Sequence, residues 1–232
     1  MVFQPGIADF SPGWFSQGHE VNRISFSSTE GALRPFFHQT LNDKLYVSTE
    51  LRTPTATHFL RCIQRAEILL NCIGSLICPE VFSAGTEAIS KLQTGQGLDR
   101  MFDNVRLWPS FFSGIEVIAN RHTVQHRDLK SSHPVYDFIV SAGTHKNGWL
   151  ELPDLNASLS YDPGTVVALC GKVLRHGVHP DWEGERVCIA HFIRDTVHDR
   201  LGVKRPDWVT VEKFWGAMDQ DFLSRRNWPA YF

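Results

Sequence analysis

The hydrophobic pattern of this chain changes period once, near residue 105, and that change constrains the fold more than any other feature. After Thr53, Phe59, Ile63, Ala66, Leu70, Ile73 and Ile77 recur at alternating spacings of four and three. This periodicity is that of one apolar stripe on an α-helix. Thr53-Pro54 marks its start, because a hydroxyl can cap the free N–H groups and a proline at the first position removes an N–H that had no partner. Pro79 ends the helix, and a second is predicted from about Pro79 to Leu92, before the Gly95 and Gly97 break. Leu70 and Ile73 lie mid-stripe and are expected to be its most buried members.

Past residue 105 the apolar runs shorten. Segments 115–126, 136–142, 148–152, 164–170 and 186–193 are rich in Val, Ile and Phe. Lys146-Asn147-Gly148, Pro153-Asp154 and Asp162-Pro163-Gly164 supply turns between them. Helices followed by short strands predict an α+β domain, an antiparallel sandwich or barrel braced by helices on one side. Residues 1–52 are Gly-, Pro- and Ser-rich with scattered aromatics (Trp14, Phe15, Phe36, Phe37), and are expected to form irregular segments and short strands. The tail from 206 carries Trp208, Trp215, Trp228 and Arg225-Arg226, with a short helix predicted at 210–223. One domain over 1–232 is expected: helical and irregular support in 1–104, strands in 105–200 and a C-terminal extension in 201–232.

Composition narrows the function classes. Hydrophobic residues make up 42% of 232 and the formal net charge is -2. No global basic field is available, so any nucleic-acid contact must come from a local patch. The five cysteines are odd in number and form no C-x-x-C pair, which reads as reduced thiols in an intracellular protein, nuclear or cytoplasmic. The greasiest run, 68–78, is too short to span a bilayer, so no membrane role is expected.

Chemistry concentrates in HTVQHRD at 122–128. Taken as one strand, 115–128 would place Ile118, Asn120, His122, Val124, His126 and Asp128 on one face. An imidazole and a carboxylate presented together, as by His126 and Asp128, are two parts of a facial metal triad. The stretch GKVLRHGVHP offers His176 and His179 as a third ligand. His176 follows an apolar strand, whereas His179 sits before Pro180 in a loop, which favours His176. Ten residues on, Arg186 opens the strand RVCIAHFI with Cys188, Ala190 and Phe192 on its face. An arginine turned into a barrel is costly unless an anion meets it. That anion is either Glu183 or Glu185, or the dicarboxylate co-substrate of a metal site.

His126-x-Asp128, then His176, then Arg186 resembles the Fe(II)- and 2-oxoglutarate-dependent oxygenases, whose fold is a double-stranded β-helix (a jelly-roll, cupin-like barrel). The wider context NRHTVQHRD, YDPGTVVALCG and LRHGV…GERVCIAHF looks like the TET/JBP-like branch, especially its short fungal members. This likeness covers residues 105–200. It implies Fe(II) on His126, Asp128 and His176, and 2-oxoglutarate with its far carboxylate on Arg186. Where that family often has Ser or Thr two positions after the arginine, this chain has Cys188, a poorer donor. Asn120-x-His122 is similar to the N-x-Y that binds co-substrate in AlkB-like members, with histidine for tyrosine.

The implied partner is a nucleic acid carrying a methylated pyrimidine, whose methyl group is oxidised. Arg121, Arg127, Ser131 and Arg175 are expected to line its groove, with Lys130, Lys146 and Lys172 as further local cations. A duplex would need its base flipped out. The alternatives are hydroxylation of a small molecule or protein side chain, and a non-catalytic β-helix module that binds a partner. The oligomeric state stays open.

Overall fold

The structure, a computed structural model, describes residues 4–14, 44–129 and 131–207. Phe15, Phe36, Phe37, Lys130, the 210–223 helix and the tail tryptophans and arginines fall outside the described residues.

Two helices form where the periodicity places them: α1 at Pro54–Ile77 and α2 at Pro79–Gln93. The Thr53 hydroxyl accepts the Ala56 N–H at 3.3 Å, and Pro54 occupies the first turn. A short turn of helix, α3 (Asp103–Arg106), leads into the strands.

The buried face of α1 differs from the expected stripe. Ala56, Leu60, Glu67, Leu70 and Gly74 are buried, Ile73 is half-buried, and Ala66 and Ile77 are exposed. The helix is rotated so that small residues sit at its closest approach. A Cβ at Gly74 would lie 2.6 Å from the Phe111 ring. The periodicity of large apolar residues therefore found the helix but placed its seat slightly to one side.

Among the described residues nine strands follow in chain order: β1 (Gly6–Phe10), β2 (Gly114–Ala119), β3 (Thr123–His126), β4 (Asp137–Gly143), β5 (Trp149–Leu152), β6 (Ala157–Ser160), β7 (Val166–Leu169), β8 (His176–Val178) and β9 (Arg186–Phe192). They form two sheets, in the orders β1-β2-β9-β4-β7 and β3-β8-β5-β6. From β2 to β9 every connection crosses between sheets except the β5–β6 hairpin. All pairings between these strands are antiparallel. This is the connectivity of a double-stranded β-helix. A further helix, α4 (Asp195–Leu201), packs back towards α2.

Residues 115–128 are not one strand. Asn120 takes a left-handed backbone, φ 45°, and the chain leaves the first sheet there to enter the second at Thr123. Asparagine is among the few non-glycine residues that accept this conformation readily. The polar run Asn120-Arg121-His122 is thus a crossover, and His126 and Asp128 belong to the opposite wall from Ile118. Strand β1 lies in the N-terminal region where short strands are expected, and adds an edge to the larger sheet.

Alternation decides which residues meet the helices and which meet the barrel interior. Phe138 and Val140 of β4 pack outward with Leu70, Val81 and Phe111. Ile139, between them, packs inward with Leu150, Tyr161 and Val178. The helices therefore cover the outer face of the larger sheet and leave the interior to the site.

Candidate metal and co-substrate site

His126 ends β3 and His176 opens β8, and the two pair across the smaller sheet. Their rings lie 4.5 Å apart. Each ring has Nδ1 against a carbonyl two residues earlier, Val124 O at 2.9 Å and Leu174 O at 3.0 Å. Those bonds fix the tautomer and leave both Nε2 atoms facing Asp128. Asp128 follows β3, with its N–H donating to Gly171 O at 2.9 Å. Its Oδ1 is 3.4 Å from His126 Nε2 and its Oδ2 3.6 Å from His176 Nε2. One donor atom from each of the three residues lies within 4.8 Å of the others. Two imidazole nitrogens and a carboxylate converging from one side suit a divalent transition metal with open positions opposite. His179 takes no part: its Nδ1 lies 3.3 Å from Asp181.

The electrostatics fit a cation. Burial alone would raise the Asp128 pKa, but the His126 hydrogen bond and the two imidazoles outweigh it and hold the group below its ordinary value. The bond to Asp128 lifts His126, against burial. Burial lowers His176, which favours the neutral ring a metal needs.

Arg186 is 1% exposed at the start of β9. Its Nη1 donates to Arg121 O at 3.1 Å, its Nε has no hydrogen-bond partner, and it makes no ion pair among the described residues. Neither Glu183 nor Glu185 forms an ion pair with it among the described residues, and Glu185 accepts from Asn120 Nδ2 at 2.8 Å. A buried guanidinium with an idle N–H is a site for a carboxylate. Trp182 and Tyr161 lie against it, with ring centroids 5.3 and 5.8 Å from Cζ. The Tyr161 hydroxyl is 3.5 Å from Cys188 Sγ. Burial, with Cys188 beside it, raises the phenol well above its ordinary pKa, so it stays a proton donor. Tyr161 thus brings a hydroxyl to the place where Cys188 offers only a thiol.

These groups line one cavity of about 360 Å³ that runs from the triad to Arg186, Tyr161 and Cys188. Ser131 and Arg127 also line it; Asn120, His122, Arg121 and Arg175 do not. Asn120, expected to touch co-substrate, has its side chain committed instead: Nδ2 to Glu185, and Oδ1 to the Arg186 N–H at 2.8 Å. It fixes the strand end that carries Arg186. His122 is exposed in the crossover. Arg127 is tied to Asp154 at 3.0 Å, and Asp154 also accepts the Arg175 N–H at 2.6 Å. The cationic rim is therefore partly neutralised.

At the other end of the cavity stand Asp137, Arg194 and Glu116, none singled out by sequence pattern. Burial pushes the Asp137 carboxyl up to about 7, with the Asp128 charge adding to the rise and Arg194 opposing it. Arg194 stacks over Phe192 at 4.5 Å. The alternation of β4, which places Asp137 two residues before inward-facing Ile139, was the one available signal for Asp137.

The Tet_JBP family model, described as the oxygenase domain of the 2OGFeDO superfamily, matches residues 48–195. The chain belongs to this family. The match reaches back through α1 and α2, so the helices are part of the Tet_JBP domain along with the barrel. Among curated proteins none matches the chain. Among solved structures, one described as NgTET1 in complex with 5mC DNA aligns at 15% identity and TM-score 0.49, over 67% of this chain and 57% of that one. A Cupin 2 conserved barrel domain protein from Salinispora arenicola CNS-205 aligns at 18% identity and TM-score 0.29, over 38% and 69%. The chain thus spans little more than half of the NgTET1 chain. As a Tet_JBP oxygenase domain it takes Fe(II) and 2-oxoglutarate, and the donors present fit both: the triad the metal, and the idle Arg186 guanidinium with the Tyr161 hydroxyl a carboxylate.

Proposed function

We propose that this protein is an Fe(II)- and 2-oxoglutarate-dependent dioxygenase that oxidises the methyl group of a 5-methylpyrimidine in nucleic acid. The observation that carries the reaction is the cavity joining the His126–Asp128–His176 cluster to a buried arginine that meets no anion among the described residues. Membership of the Tet_JBP family supports the substrate class. When bound, Fe(II) and 2-oxoglutarate supply the oxidising chemistry: the keto acid loses CO2 to become succinate as dioxygen is reduced, and one oxygen atom goes to a substrate C–H.

The chain's own residues place and shield these groups. His126, Asp128 and His176 hold the metal from one wall. Arg186 takes the far carboxylate of 2-oxoglutarate from the opposite sheet, assisted by the Tyr161 hydroxyl. Leu150, Val178 and Ile139 form apolar walls between them, which limit water around the reacting groups. The test incubates protein, Fe(II) and 2-oxoglutarate with methylated oligonucleotides and follows the base by mass spectrometry. A gain of one oxygen on the base is the expected result. Succinate formed with a small molecule, and with no oligonucleotide, would assign the site to small-molecule hydroxylation instead.

A further inference from the structure

The charge of Arg186 is supported by neutral groups. Glu183 and Glu185 stand just before it in sequence, yet it makes no ion pair among the described residues. What lies against it is the Arg121 carbonyl, 3.1 Å from Nη1, and two rings, Trp182 and Tyr161, with centroids 5.3 and 5.8 Å from Cζ. A ring face attracts a guanidinium through its quadrupole, most strongly where water is excluded, and takes none of its N–H groups. An acid in the same place would neutralise the charge and fill those donors. The rings let Arg186 stay buried and still bind a carboxylate.

The two rings differ in origin. Tyr161 lines the cavity and Trp182 does not. Trp182 belongs to the loop between β8 and β9, half-buried against the cluster of Leu150, Leu152, Tyr161 and Val178. Backbone bonds fix this loop: Lys146 and Glu183 exchange two, at 2.9 and 3.1 Å, and the Glu185 carbonyl accepts the Thr144 N–H at 2.8 Å. Gly184, at φ 95°, allows the close approach, since a Cβ there would lie 3.0 Å from Thr144 O. Trp182 is therefore held in place by the fold, and its route to the site runs through Arg186.

Resting on the reading that Arg186 meets the far carboxylate, we propose that Trp182 is a positioning residue that makes the site select a keto diacid over a keto monoacid. Its ring supports and orients the guanidinium before the co-substrate arrives. Without the ring the guanidinium would be hydrated and free to turn, and a carboxylate would have to order and dehydrate it on binding. A keto monoacid, which reaches only the metal, gains nothing from the ring.

The test measures dissociation constants, without oxygen on the Fe(II)-loaded protein, for 2-oxoglutarate and for pyruvate, which has the same keto acid end and no far carboxylate. Trp182→Leu is expected to raise the 2-oxoglutarate constant by about five- to thirtyfold, the range of a desolvated cation–π contact, and to leave the pyruvate constant unchanged. Trp182→Phe, which keeps a ring face, is expected to recover most of the loss. In an Arg186→Ala background Trp182→Leu should change neither constant, because the group it acts through is gone. Trp182→Met, which fills the same seat without a ring, replaces Trp182→Leu if that variant does not fold, and is held to the same outcomes. A ringless variant that binds 2-oxoglutarate as the wild type does overturns the proposal. One that weakens both keto acids alike also overturns it, and makes Trp182 a packing residue of the barrel. Arg186→Ala that leaves the 2-oxoglutarate constant unchanged removes the reading of Arg186 itself, and this proposal with it.

Discussion

Among single residues, the site depends on polar groups that have no partner among the described residues. Arg186→Ala removes the cation that would meet the far carboxylate of 2-oxoglutarate. Loss of one partner of a buried charge pair costs about 2–5 kcal/mol, so the 2-oxoglutarate requirement should rise more than about tenfold, read as the dissociation constant by calorimetry. Tyr161→Phe removes one neutral donor and should weaken the same binding by only about three- to tenfold. An unchanged constant in Tyr161→Phe would mean that Cys188 or a water serves that carboxylate. Asp137 gives a pH effect in the metal-free protein. Its folded pKa, about 7, lies above the ordinary 3.8, so its contribution to stability is intact below about pH 4 and is lost as pH rises through 7. Asp137→Asn lacks this loss and should become the more stable form above pH 7, by on the order of 4 kcal/mol. Unfolding curves of both metal-free proteins at pH 5 and pH 8 check this. A gap that does not widen with pH would show that the carboxyl is ionised in the fold without penalty.

At the scale of elements, α1 shows what a pattern can and cannot reveal. The four-and-three spacing is a property of the sequence alone, and the helix followed from it. Its exact face depends on what lies opposite. Gly74 against Phe111 and Glu67 against His191 are decided by residues far along the chain. Glu67 Oε1 lies 2.8 Å from His191 Nε2, both groups are nearly unexposed, and His191 Nδ1 lies 3.1 Å from Phe138 O. This pair joins the helix to β9 across the layer boundary. Glu67→Ala, which leaves His191 buried without its partner, should cost about 3–5 kcal/mol. Leu70→Ala should cost about 2–5 kcal/mol. Urea melts of both variants measure the loss, and metal affinity should persist in the folded fraction because neither side chain reaches the triad. Selective loss of metal from stably folded Leu70→Ala would contradict the bracing role of α1. The crossover at Asn120 was hidden for the same kind of reason. Alternation over 115–128 runs on through the break, and only the second sheet, built from β5, β6 and β8, shows where β3 must go.

At the scale of the whole molecule, net charge and rim agree. The chain carries -2, and Asp154 neutralises Arg127 while binding the backbone of Arg175. A nucleic acid bound here should make few phosphate contacts, roughly two to four, and show a shallow loss of affinity with salt. Charge reversal at Arg127 should weaken all sequences alike, since phosphate contacts carry no base information. A steep slope would require cations other than the described rim. The cluster of His126, Asp128 and His176 with Arg186 was legible because their order and spacing survive in one dimension. Tyr161 and Asp137 were not, because only the closed cavity brings them beside that cluster. Metal and 2-oxoglutarate are proposed to share one cavity. This is tested most directly by adding 2-oxoglutarate, without oxygen, to the Fe(II)-loaded protein and recording the visible charge-transfer absorption of a chelated keto acid. The band should appear in the wild type, be absent in His176→Ala, and need more than about tenfold more 2-oxoglutarate in Arg186→Ala. A wild type that binds Fe(II) but gives no band, or a band that Arg186→Ala leaves at the same concentration, would contradict it.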